Sequence, residues 1–391
     1  MTSLRRSIPL LARCHKSLSF RSFHASQNLA AAAKPKPSPR ISKATTRTRV
    51  QNVQNTEKNY MSKDALPPLA ILQSAATAGV MDLEPAKAFQ FLAEYVNSYV
   101  ERGGPSTGKG WEQELCKVHG VTLPHMVTLS SVLRRCPSRA QQSLGSTLVL
   151  AASQMGEKTA TFELVQSSIN KKQVFEKSAH IQHLRLLAQK GDDAEAMALL
   201  GKVVFAQGKE DEALGWLRKA TRPPVGNLEF PGSGDALVCE GRIHLKKGDK
   251  KGAEEVFKKA ALQLDEPTAY FYLSQLQEPS SWKQEVYLLK AASSGILEAM
   301  HSLSALELEK IEKQEKKPTS LADYGMTREW SQVAAADGFG LSMMNMALMC
   351  KAVGQDEVGM EWLEKAEQNP DVREQAKKLR REWAEQPSQL T

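Results

Sequence analysis

The sequence predicts an all-α fold: an α-solenoid of antiparallel helix hairpins behind a disordered N-terminal presequence and linker. Three observations predict it. From about residue 62 onward apolar residues recur at helical spacing, Gly and Pro fall at junctions, and no convincing strand alternation appears. Small residues and glycines then repeat at fixed offsets through the second half of the chain. The excess positive charge, finally, is confined to the first fifty residues.

The charge locates the first element. The 391 residues hold 52 Lys and Arg against 44 Asp and Glu, a net of +8 that on its face invites nucleic acid. Residues 1–50, however, carry eleven cations and no acid, whereas residues 51–391 carry 41 cations against 44 anions, a net of −3. The body is therefore slightly acidic, which argues against extensive phosphate contact. No run of about eighteen apolar residues escapes a charge or a break, so no membrane-spanning helix is expected. Five Cys exclude a disulfide scaffold in a chain this long.

Residues 1–30 read as a mitochondrial presequence, being rich in Arg and Ser and free of acid. Leu4, Ile8, Leu11 and Leu18 share one helical face opposite Arg6 and Arg13, although Pro9 distorts the turn. The segment from Arg21 to Ala30 resembles the two-step mitochondrial processing motif, with Arg21, Phe23 and Ser26 at its three marks. That resemblance implies a first cut after Ser22, removal of an octapeptide, and a mature start at Ala31. Residues 31–60 form a basic linker, where Pro35, Pro37 and Pro39 prevent a helix and almost nothing can be buried. The six cations of 31–50 could touch anionic lipid head groups or rRNA, but a solvated leash explains them more simply.

Residues 61–144 are expected to form an N-terminal helical region without a recognisable repeat. Its best helix is Ala86 to Val100, with Phe89, Leu92, Val96 and Val100 aligned.

Residues 145–369 carry the repeat. Gly201, Gly208, Ala213, Trp216 and Ala220 are spaced 7, 5, 3 and 4, and the same offsets give Gly241, Gly248, Ala253, Val256 and Ala260. They recur as Ala347, Gly354, Gly359, Trp362 and Ala366, and more weakly as Val149, Gly156, Thr161, Leu164 and Ser168. A helix hairpin explains the pattern. The first small residue lets two helices approach, and the Gly after it ends the first helix in a left-handed cap. The large residue at the Trp216 mark is expected to fill the space between repeats. One hairpin alone leaves an apolar face wet, so hairpins must stack.

Two junctions carry a family likeness. Lys290-Ala-Ala-Ser-Ser-Gly295-Ile-Leu-Glu-Ala299 through Ser304, and Ala334-Ala-Ala-Asp-Gly338 through Ala347, resemble the junction of Sel-one-like repeats. The likeness extends to tetratricopeptide repeats, covers roughly 145–369, and implies about six hairpins. It departs from the pattern at Glu240 and Pro267, and residues 270–290 lack the Gly. Two insertions, 221–235 and 305–328, break the period and are expected to project from opposite rims, the second beginning as a helix from Glu307 to Lys317. Residues 370–391 read as a C-terminal capping helix.

Motifs for chemistry are few. Gly103 to Gly110 half-matches a phosphate-binding loop, but Gly110 stands where a hydroxyl is needed and a helix precedes it. Glu176, His180 and His183 share a helical face, yet nothing recognisable completes a metal site. Cys116, Cys136, Cys239 and Cys350 form no ligand pair and read as buried thiols, which fits a reducing matrix. Met343, Met346 and Met349 are expected in the core, with Met344 excepted. No catalytic constellation, cofactor site or metal site is expected.

The tetratricopeptide resemblance implies a concave protein-binding groove lined by the first helix of each hairpin. It places Lys202, Arg242, Lys246 and Lys351 there, with Phe205, Val238, Leu245, His301 and Met344 beside them. Such a groove, mildly basic and partly apolar, suits an acidic-hydrophobic peptide or a chain's carboxyl terminus. Ordinary solvated Lys and Arg on helix faces is the plainer account of the same cations. The resemblance further implies a non-enzymatic mitochondrial adaptor in the matrix, with peripheral inner-membrane contact open. Such proteins often assist assembly of respiratory complexes, cytochrome c oxidase among them. The alternative is a mitoribosome-associated or RNA-expression factor.

Overall fold

The computed structural model describes residues 63–102, 110–171 and 178–384. The presequence and linker, with Arg21, Phe23 and Ser26, lie outside them, as do Gly103 to Lys109 and Glu176. Among the described residues there are α-helices and short 3-10 turns and no strand. None of the helices is long and apolar enough to cross a membrane. The chain forms two compact units that divide between Pro231 and Gly232.

Among the described residues the first unit contains nine helices. They are α1 (Leu69–Thr77), α2 (Pro85–Arg102), α3 (Trp111–His119), α4 (Leu123–Arg134), α5 (Arg139–Gln154), α6 (Lys158–Asn170), α7 (Ala179–Lys190), α8 (Ala194–Ala206) and α9 (Glu210–Thr221). Residue 145 falls inside α5, and Gly145 lets α5 lie against the Ser130 carbonyl and Leu133 of α4. On α2 the buried stripe is Ala88, Phe91, Leu92, Tyr95 and Val96. Phe89 sits at its edge and Val100 is exposed, because the stripe predicted from steps of three and four residues is rotated from the one that packs. That stripe joins Met126, Leu129, Leu133, Leu144 and Leu148 in one core.

Local polar chemistry sets the helix ends. Thr122 accepts from the His125 amide while the His125 ring accepts from the Thr122 amide, a reciprocal cap that starts α4. Asp193 caps α8 through the Ala196 amide and also takes Lys158 of α6 at 2.7 Å, tying two helices with one carboxylate. In α9, Glu210, Asp211 and Glu212 open the helix and Arg218 and Lys219 close it, each matched to the helix dipole.

The second unit contains α10 (Ser233–Lys246), α11 (Lys250–Leu264), α12 (Pro267–Leu276), α13 (Trp282–Ser293), α14 (Leu297–Glu312), α15 (Met326–Ala336), α16 (Gly340–Ala352), α17 (Asp356–Gln368) and α18 (Arg373–Ala384). Consecutive helices pack pairwise, as α8 and α9 do, so each unit is a stack of helix hairpins, the α-solenoid arrangement.

The repeat marks take their predicted places, with one correction. Gly241 on α10 and Gly201 on α8 have no room for a Cβ, and the side chains that fill that room are Phe257 and Leu217. These lie one residue beyond the Val256 and Trp216 marks. Leu217, Phe257 and Leu363 are fully buried, whereas Trp216 and Trp362 are only half-buried. Gly208 and Gly248 both turn at φ 81°, in the left-handed region. Where residues 270–290 lack the Gly, Ser280 adopts φ 59°, and Asp265 adopts φ 50° at the preceding turn.

The second insertion folds more closely than expected. The helical part of the second ends at Glu312 rather than Lys317, and a 3-10 turn, Leu321–Tyr324, follows. Leu308 and Tyr324 are buried against Met346 and Met349, with Ile311 and Leu321 half-buried beside them, instead of projecting, because they carry too much apolar surface to stay wet. Asp323 fixes that turn by accepting from the Thr319 and Ser320 amides. In the first insertion α9 continues through Thr221, whose hydroxyl bonds the Leu217 carbonyl, and the Asn227 amide returns to the Ala220 carbonyl. Over the last hairpin, Trp383 of α18 covers Gly359, Ala347 and Leu363.

Candidate protein-binding face

The residues proposed for a groove fall into both units. Lys202 and Phe205 lie one turn apart on α8, both half-buried, and Lys202 Nζ donates to Gln166 Oε1 of α6 at 3.2 Å. The other seven belong to the second unit.

Arg242 and Lys246 share one side of α10, Arg242 half-buried and Lys246 exposed. Arg242 acts on Tyr272 of α12, a residue the sequence argument did not single out. Burial pushes the Tyr272 phenol above its ordinary range, the nearby Arg242 charge opposes that, and Glu298 adds to it. The ring of Tyr272 stacks flat on Phe257 at 5.0 Å, which fixes where its hydroxyl lies. The signal for it was the aromatic run Tyr270-Phe271-Tyr272, hidden because the repeat loses its Gly there. Arg242 and Tyr272 together offer a cation and a hydroxyl donor, the chemistry that recognises a carboxylate.

The remaining candidates are drawn into internal contacts. His301 is buried, with Nδ1 3.3 Å from Ser342 Oγ and 3.5 Å from Asn345 Nδ2, and its ring lies 5.3 Å from that of Phe339. Met344 is half-buried among Ala366, Val372 and Ala376, where the C-terminal helix closes the stack. Lys351 lies 4.8 Å over the ring of Trp383, and burial lowers its ammonium pKa despite Asp356 and Glu382. Val238 is buried as well.

The other motifs resolve structurally. His183 Nδ1 meets Thr161 Oγ1 at 2.8 Å, and His180 Nε2 meets Ser168 Oγ at 3.2 Å. The pair therefore pins α7 to α6. Among the described residues no three His, Cys, Asp or Glu side chains are grouped to hold a metal. Cys116, Cys136, Cys239 and Cys350 are buried free thiols, and burial, aided by Glu112, raises Cys116 to about 11. An acid–histidine arrangement occurs at His244, whose Nδ1 is 2.7 Å from Asp249 Oδ2 and whose Nε2 is 3.8 Å from Glu240 Oε1. Asp249 also caps α11 through the Gly252 amide at 2.9 Å, so the cluster locks the α10–α11 turn.

No family model matches this chain, and no curated protein matches it.

Proposed function

We propose that this protein is a non-enzymatic, protein-binding scaffold of the mitochondrial matrix that assists assembly of an inner-membrane respiratory complex, cytochrome c oxidase being the first candidate. The observation that carries the scaffold reading is the placement of Arg242 and Tyr272 on α10 and α12, the contacting first helices of successive hairpins. Side chains from two repeats then bear on one bound segment, which is how stacked hairpins read a peptide. A cation, a hydroxyl and the half-buried Phe271 beside them suit an acidic-hydrophobic segment or a terminal carboxylate. Support for the compartment comes from the acid-free, Arg-rich residues 1–30 and from four buried free thiols.

The test is affinity capture of the tagged protein from mitochondria, with the N-terminus left intact. Respiratory-complex subunits are expected among the captured proteins. Ribosomal proteins that survive a high-salt wash would instead make it a mitoribosome-associated factor, and an extramitochondrial location would overturn the compartment.

A further inference from the structure

Helix α13 presents an outer face that packing leaves uncovered. Its exposed residues are Trp282, Lys283, Val286, Leu289, Lys290 and Ser293, with no acid among them. Trp282 is 70% exposed, Val286 43% and Leu289 50%, and at spacings of four and three they form one ridge on a single helix face. The opposite face, with Gln284, Leu288, Ala291 and Ala292, is buried in the stack. The helix is therefore amphipathic twice over, with one apolar face serving the core and a second facing water.

The exposed charges that α13 itself carries beside the ridge, Lys283 and Lys290, share one sign. Lys283 lies 5.9 Å from the Trp282 ring, and Lys290 reaches back over the ring of Tyr270 at 4.9 Å. Glu285 is held by Lys310 of α14, and Asp265, 4.0 Å from Lys290, accepts the Tyr270 hydroxyl. Not every helix of this unit is like this. Helix α17 exposes Glu357, Glu361 and Glu364.

We infer that the Trp282–Leu289 ridge of α13 is a docking surface for an anionic lipid bilayer. A ridge, unlike a groove, has no walls to hold a partner helix, but it can sink into a fluid interface. Trp favours the headgroup level, and Lys buries its stem while its ammonium stays with the headgroups. A second copy of this chain is disfavoured, because two-fold contact through the ridge sets Lys283 and Lys290 against their own equivalents. An acidic surface satisfies them, and lipid also accepts the indole. The lipid contact does not rest on the scaffold reading, and vesicle binding and partner capture can fail separately.

The experiment is flotation of the full chain with vesicles of phosphatidylcholine alone, or with about one third phosphatidylglycerol. Binding is expected to the anionic vesicles and to fall with salt. Trp282→Ser combined with Leu289→Ser should lower partition about tenfold or more, since both side chains leave the interface. Lys283→Glu with Lys290→Glu should abolish the preference for anionic lipid. All four side chains are exposed, so the variants should keep the wild-type melting temperature, measured alongside. Partition unchanged in the Trp282/Leu289 variant overturns the proposal and assigns any binding to the basic N-terminal residues. A dimer seen by sedimentation that the same variant dissolves also overturns it, in favour of a second copy, as does failure of the wild type to bind anionic vesicles.

Discussion

Phe257 of α11 lies against Gly241 of α10 so closely that a Cβ at 241 would fall inside the ring's contact distance. This one relationship explains why a small residue recurs at the first mark of each repeat. It also makes the first prediction. Gly241→Val must push a fully buried aromatic out of a packed stack and should cost about 2–3 kcal/mol, as overpacked cores do. Gly201→Val should behave alike against Leu217. Urea midpoints of the two variants test it, and an unchanged midpoint at either site would mean that the hairpins are not held by this contact.

Ser280 carries the second prediction. Its φ of 59° is one that glycine adopts without strain, and it stands where other hairpins have Gly208 or Gly248. Ser280→Gly keeps the amide that donates to Gln284 Oε1 at 2.7 Å and relieves the left-handed strain. The gain should be about 0.5–1 kcal/mol, less a few tenths for the freer unfolded chain. A thermal melt that shifts downward would refute it.

The third concerns His180 and His183, whose pKa values burial holds below the ordinary 6.5, with the Lys190 charge adding to the effect at His183 and Glu157 opposing it. The folded state therefore binds fewer protons than the unfolded one. Stability contributed by the neutral rings is full above 6.5 and declines as pH falls through that value. His180→Gln with His183→Gln should flatten the dependence between pH 7 and 5 while keeping a polar partner for Ser168 and Thr161. Denaturant midpoints across that range measure it, and an equal slope in both proteins would assign the dependence to other groups.

These sites mark what a sequence reading reaches. Hairpins were legible where geometry demands one residue type, as at Gly201 and Gly241, or at the turns Gly208 and Gly248. The repeat blurs where another residue accepts the same backbone, as Ser280 and Asp265 do, and this hides Tyr272 on α12. Its periodicity also could not tell which side chain meets the small residue of the facing helix, hence Leu217 and Phe257 against Gly201 and Gly241, beside the half-buried Trp216 and the buried Val256. The tetratricopeptide resemblance placed His301 and Lys351 in a groove, but Ser342, Asn345 and the Trp383 ring, distant in sequence, engage them. Nor does any pattern announce that Trp282 stays wet, since burial depends on what the neighbouring hairpins leave open.

The last prediction separates binding from folding. If Arg242 and Tyr272 hold the partner's carboxylate, removing either donor should weaken capture without loosening the stack. Tyr272→Phe keeps the ring on Phe257 and deletes only the hydroxyl, while Arg242→Glu reverses the charge. Each should reduce captured partner about tenfold, and Arg242→Glu together with Tyr272→Phe should abolish capture. Lys351 provides the contrast. It spends its charge on the Trp383 ring, so Lys351→Gln should lower the melting temperature slightly and leave capture intact. Quantitative mass spectrometry of the captured proteins, read beside thermal melts, decides between the two roles. Equal capture by wild type and the Arg242/Tyr272 double variant would remove this face from the binding site, because a carboxylate that tolerates loss of both donors is held elsewhere.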